Sequence, residues 1–148
     1  FGGMKMSRKI AREVAMKLLY ERQFLGKEQK ESIDILEQEF ELIDSDKKYL
    51  YDVLAGTENY EKEIDEIISK YAKGWTINRI AKVDLSILRL SLYEIMYRDD
   101  IPPGVSINEA VELAKKYGNE KSGSFINGIL GSFIRDRGKD VEGEPEKV

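Results

Sequence analysis

Apolar residues recur at helical spacing through almost the whole chain. Ile10, Ala11, Val14, Ala15, Leu18 and Leu25 fall on one side of a segment that Ser7 can cap and Gly26 ends, which predicts a first helix to about residue 24. Ile33, Leu36, Phe40 and Ile43 predict a second over about residues 32–43. Asp44 or Ser45 can cap a third, long helix to about residue 72, striped by Tyr49, Leu50, Val53, Leu54, Tyr60, Ile64, Ile67, Ile68 and Tyr71. Gly56 inside it costs about 1 kcal/mol relative to alanine, which points to a kink or to close packing. Lys73-Gly74-Trp75-Thr76 breaks the pattern and reads as a hinge between two halves.

After the hinge, Thr76 can cap a short helix over 77–81. Val83, Leu85, Ile87, Leu88, Leu90, Leu92, Ile95 and Met96 leave almost no polar face, which predicts a central buried helix. The segment 99–104, with Pro102-Pro103, is a stop. Ser106 and Glu109 match a capping box opening the next helix, which Gly118 ends after Lys115 and Lys116. A last helix covers about 122–135, and the charged, proline-containing stretch 138–148 reads as a disordered tail. The expectation is an all-α chain of about seven helices and no strand, in two packed subdomains over 4–73 and 74–137. Phe1-Gly2-Gly3 reads as a remnant ahead of a start at Met4 or Met6.

Composition removes whole classes of chemistry. The 148 residues contain no cysteine and no histidine. A disulfide framework, a thiolate nucleophile, a Ser-His-Asp triad and a His/Cys zinc site are excluded. Asp99-Asp100 is a carboxylate pair in a proline turn without a supporting base, so no catalytic reading survives and no cofactor is expected. No apolar run approaches the roughly 18 residues of a membrane span, and no signal peptide precedes the first helix, which predicts a cytoplasmic protein.

The net charge of -4 is unevenly spread. Residues 1–27 carry seven basic and two acidic side chains, hence +5; residues 28–66 carry fourteen acidic and four basic ones, hence -10. At about 100° per residue, Lys5, Arg8, Lys9, Arg12 and Met16 share a third of the first helix, with Tyr20 at the edge. Cations for phosphates and a ring for a base suit single-stranded RNA, and the same residues also suit an ordinary solvated face. Ser124, Gly128, Gly131 and Ser132 form a small-residue strip on the last helix, open either to another helix or to a nucleic-acid backbone. Asn127 there reads as a brace, and Lys121 adds a cation. Asp84, Arg89 and Glu94 on the most apolar helix require internal ion pairs or a partner.

Three stretches carry a resemblance. They are Ile107-Asn108-Glu109-Ala110-Val111-Glu112-Leu113-Ala114-Lys115-Lys116-Tyr117-Gly118 with Ser122, Phe125-Ile126-Asn127-Gly128 and Leu130; Val83-Asp84, Leu88-Arg89-Leu90, Leu92-Tyr93-Glu94 and Asp100-Ile101-Pro102; and Arg8-Lys9, Ala11-Arg12-Glu13, Ala15 and Leu19-Tyr20. Over 4–137 the chain resembles the NusB antitermination factors. The resemblance implies a three-helix bundle followed by a four-helix bundle, no enzymatic activity, and pairing with NusE, a small-subunit ribosomal protein. It implies binding to boxA RNA of ribosomal RNA transcripts and assembly with other Nus factors and RNA polymerase. It places RNA contacts on Arg8, Lys9, Arg12, Tyr20 and Phe125, to which the basic face adds Lys5 and the turn adds Lys121, and partner contacts on Asn78 and Asp84. Ile10 interrupts the basic run of the family, and Lys121 stands where some members are acidic. Two other readings remain: an RNA-binding domain of the kind attached to ribosomal RNA methyltransferases, and a helical interaction module without RNA.

Overall fold

A computed structural model describes residues 4–5, 7–25, 40–41 and 43–142, with side chains over 7–25 and 43–138. The helices are α1 (Arg8–Leu25), α2 (Asp44–Asn59), α3 (Glu61–Tyr71), α4 (Lys82–Tyr97), α5 (Pro103–Tyr117) and α6 (Ser122–Glu142), with a 3-10 turn at Ile77–Arg79. Two strands of two residues each, β1 (Met4–Lys5) and β2 (Phe40–Glu41), pair in parallel. The all-α expectation holds apart from that pair. The helix predicted over 32–43 falls largely outside the described residues; its last part is β2.

Ser7 caps α1 as predicted, its Oγ accepting from the Ile10 N–H at 3.2 Å. The long helix predicted from Asp44 divides at Tyr60, whose φ of -110° and ψ of 17° leave the helical range. Gly56 lies one turn earlier and serves close packing: a Cβ there would stand 2.0 Å from the Tyr93 ring. The hinge contains the turn at Gly74, whose φ of 83° suits glycine.

Helix α4 is the axis, packing against α1, α2, α3, α5 and α6. Leu85, Ile87, Leu88, Leu90 and Leu92 are all buried along it, as the apolar pattern required. Each contributes about 1.5–3 kcal/mol by leaving water. The core runs without interruption from Ala11 to Phe133, so the halves meet along α4.

Two helix ends depart from expectation. Helix α5 begins at Pro103, with Pro102 as its N-cap, so Ser106 is inside the helix and not its cap. Proline suits the first turn because the missing N–H there has no helical partner. Helix α6 runs through Gly138 to Glu142, into the stretch predicted to be disordered. Arg137 anchors this last part, donating from Nη1 to the Ile95 carbonyl at 3.1 Å.

Candidate nucleic-acid interface

The first helix presents a different face from the one its charges suggested. Its solvent stripe is Lys17, Tyr20 and Phe24, spaced three and four residues apart, with Lys9 about two turns before Lys17. Met16 is buried, and so is Arg12, at 6% exposure. The stripe through Arg8, Arg12 and Met16 faces inward because α1 is held on two sides, by α2 and by α4.

Arg12 is therefore engaged inside the fold and does not stand on the exposed face that its place in the basic run suggested. Its Nε donates to Glu94 Oε2 at 2.9 Å. Tyr49 also donates to Glu94 Oε2, and Ser106 Oγ donates to Glu94 Oε1 at 2.8 Å. Arg12 Nη1 stands 3.5 Å from Glu109 Oε1. The two members of the supposed capping box thus both serve this network from α5. Burial works to lower the basicity of Arg12, and its bond to Glu94 outweighs that and raises it. Burial and the Glu94 charge push the Tyr49 hydroxyl far up. Arg8 is half-buried, its guanidinium 4.4 Å above the Tyr49 ring and 3.9 Å from Asp46.

Lys9 is exposed, and its ammonium lies 3.5 Å from Glu109 Oε1. It stands at a groove of about 810 Å³ along α5 and α6, with Lys115 and Asn127 also in the lining. Gly118, Gly123 and Ser124 keep that groove free of bulk. The small-residue strip of α6 is open at Gly128, where an added Cβ meets nothing within 4 Å. Close helix packing does not explain that position. Asn127 is exposed to the groove and is not enclosed as a brace.

Lys121 is exposed in the turn before α6, and Phe125 is half-buried one turn into it. Phe125 meets Trp75 edge to face at 6.3 Å. Tyr20 is 37% exposed and meets Phe24 at 5.1 Å. Lys5 lies in β1, and its side chain is outside the described residues. Asn78 is exposed in the 3-10 turn, where its Oδ1 accepts from Thr76 Oγ1 at 2.6 Å. Asp84 is 6% exposed and lies in the wall of a cavity between the 3-10 turn and the start of α6. Arg89 and Glu94 of α4 are paired internally, Glu94 in the Arg12 network and Arg89 forking onto Asp65 at 2.8 and 2.9 Å.

Sequence reasoning passed over Lys17, Lys115, Trp75 and Arg79. Lys115 was read only as a helix-end charge, and Trp75 only as part of a hinge. The exposed spacing Lys9-Lys17-Tyr20 becomes visible once the inward face is known. The groove also carries Glu109, Glu112 and Glu120 against Lys9 and Lys115, so it has no cationic excess. Among the described residues no cluster of acids is arranged to hold a metal ion, and no helix is long and apolar enough to cross a membrane.

Residues 9–135 match the model of the NusB family. The transcription antitermination protein NusB of Acetivibrio thermocellus is 46% identical over 142 residues, covering 96% of this chain and 98% of that protein. A solved T. maritima NusB superposes with a TM-score of 0.80 at 36% identity, covering 90% of this chain and 94% of that one. A crystal structure of antitermination factors NusB and NusE in complex with dsRNA contains a chain that superposes with a TM-score of 0.76 at 30% identity, covering 87% of this chain and 96% of that one.

Proposed function

Because this chain belongs to the NusB family of transcription antitermination factors, we propose that it binds boxA-type single-stranded RNA as a heterodimer with NusE. In this reading it is a non-enzymatic adaptor in the cytoplasm that joins ribosomal RNA transcripts to other Nus factors and RNA polymerase. The observation that carries it is the open, small-residue groove lined by Lys9 and Lys115, on a chain whose first helix also exposes Lys17 and Tyr20. Phosphates meet Lys9, Lys115 and Lys121, the backbone lies over Gly123 and Ser124, and bases find rings at Tyr20 and Phe125. Arg8 and Lys5 extend the basic edge, and Arg12 holds α1 in place without touching RNA. Asn78 belongs to the partner-facing side.

The balance of lysines and glutamates in the groove makes RNA binding weak in the chain alone. Tight binding requires NusE to supply further contacts. A titration of boxA and scrambled RNA, with and without NusE, tests this. The expected result is preference for boxA, strengthened by NusE. Equal affinity for both RNAs in both conditions favours a helical module without RNA function.

A further inference from the structure

The C-terminal end of α4 carries a surface of another kind. Tyr60, at the junction of α2 and α3, stacks on Tyr97 with ring centroids 4.2 Å apart and planes 18° from parallel. The buried Tyr93 supports them, its centroid 5.3 Å from that of Tyr97, in the space that Gly56 leaves. Tyr60 and Tyr97 are each 37% exposed and stand outside the hydrophobic core, so core packing does not account for two large rings at that place. Tyr97 donates to Glu63 Oε2 at 2.8 Å, and Tyr93 donates to Asp52 Oδ1 at 2.7 Å. Loss of water, with the bond to Glu63 and its charge, pushes the Tyr97 hydroxyl up to about 12, so the ring stays neutral. Arg98 answers Asp52 and Asp100, and Arg89 answers Glu61 and Asp65. Glu63 is a further acid, so the face stays acidic even with the exposed Lys62 counted.

We propose that this face docks an arginine-bearing segment of a partner protein, with a guanidinium laid on the Tyr60–Tyr97 stack and its N–H groups directed at the carboxylates of Glu61 and Glu63. A guanidinium is planar and weakly hydrated, stacks on aromatic rings and forks onto carboxylates, whereas a lysine ammonium brings a strongly hydrated point charge. The rings alone also suit a nucleobase, but the carboxylates repel the phosphates that a nucleic acid brings with it. An apolar partner covers Glu61 and Glu63 without answering their charge, which is unfavourable. A basic segment satisfies rings and carboxylates together. The hydroxyl bonds of Tyr93 and Tyr97 hold the rings before any partner arrives, so docking has few side chains left to order. None of these residues lines the groove along α5 and α6, so the face is independent of the RNA-binding reading.

The full chain is titrated with a fluorescently labelled peptide of alternating arginine and glycine, and in parallel with the matching lysine–glycine peptide. Anisotropy follows binding, and amide chemical shifts locate it. The arginine peptide is expected to bind several-fold tighter than the lysine peptide and to shift the amides of residues 60–63 and 97–98. Tyr60→Leu with Tyr97→Leu keeps every charge; it should weaken the arginine peptide about tenfold and the lysine peptide less. Glu61→Gln with Glu63→Gln keeps the rings and should weaken both peptides, which tests the face even where the leucine variant melts early. Equal affinity for the two peptides overturns the docking face, since net charge alone then accounts for the attraction. Undiminished arginine-peptide binding in a folded leucine variant overturns it for the same reason. Shifts confined to another face, or no binding of the arginine peptide, overturn it as well. Each of these results leaves the RNA-binding reading standing.

Discussion

Arg12 and Lys9 are three residues apart on one helix and live in different worlds. Arg12 is enclosed with Glu94, Tyr49 and Ser106, where every bond substitutes for lost water. Lys9 stands in solvent beside a groove, its ammonium 3.5 Å from Glu109 Oε1. The contrast shows that a run of cations on a helix does not identify a nucleic-acid face. The helix must first be placed against its neighbours, and here two helices claim the side where Arg8, Arg12 and Met16 point. A buried cation holds the fold, and an exposed one is available to a ligand.

The largest effect should come from breaking the enclosed side. Arg12→Ala leaves Glu94 charged and buried, and should cost about 3–5 kcal/mol in urea unfolding. A loss below 1 kcal/mol would show that Glu94 is not dependent on Arg12. Ser106→Ala removes one donor from the same carboxylate and should cost about 1–3 kcal/mol, read from the same denaturation midpoint.

The open side should respond in binding and not in stability. Lys9→Gln, Lys115→Gln and Lys121→Gln combined should shift stability by no more than about 0.5 kcal/mol. The salt slope of RNA binding should fall by about 2, at about 0.7 per lost phosphate contact on a single strand. An unchanged slope would remove these lysines from the interface. Glu112→Gln with Glu120→Gln should move affinity in the other direction, a few-fold tighter at low salt, because repulsion is removed from the groove.

The smallest effect is one of pH. Burial acts to raise the Glu13 carboxyl, but hydrogen bonds from Lys116 and Tyr117 outweigh it and hold the group below its ordinary range. A depressed carboxyl stabilises the fold above its unfolded value, about 4.3 for glutamate, and loses that contribution as pH falls through the folded value. Thermal melts from pH 6 down to pH 2 should therefore show a shallower acid decline in a Lys116→Ala, Tyr117→Phe variant.

Parts of this architecture were legible in the sequence for physical reasons. Helix α4 announced itself because a helix apolar on nearly every side has to be central. The Ser7 cap was equally plain, since a side-chain oxygen ahead of an apolar stripe has one local use. The division at Tyr60 was hidden because the stripe continues across it: Ile64 N–H still bonds the Tyr60 carbonyl at 2.9 Å. Ser106 and Glu109 matched a capping pattern because three residues along a helix return to the same face, and that face meets α1 and α4. The candidate site was legible in its parts and not in its arrangement. Lys9, Tyr20, Lys121 and Phe125 are exposed or half-exposed as expected, while the inward turn of Arg12 depended on contacts with α2 and α4.

The pairing of β1 with β2 has a consequence for the basic start of the chain. A cationic arm that is free in solution must be ordered when it meets RNA, at about 1–2 kcal/mol per residue of backbone entropy. Here Met4 is matched to Phe40 and Lys5 to Glu41 across a parallel ladder. That ordering is completed during folding, so in the RNA encounter proposed for Lys5 its backbone is already in place, and less of the binding free energy would be consumed in straightening it.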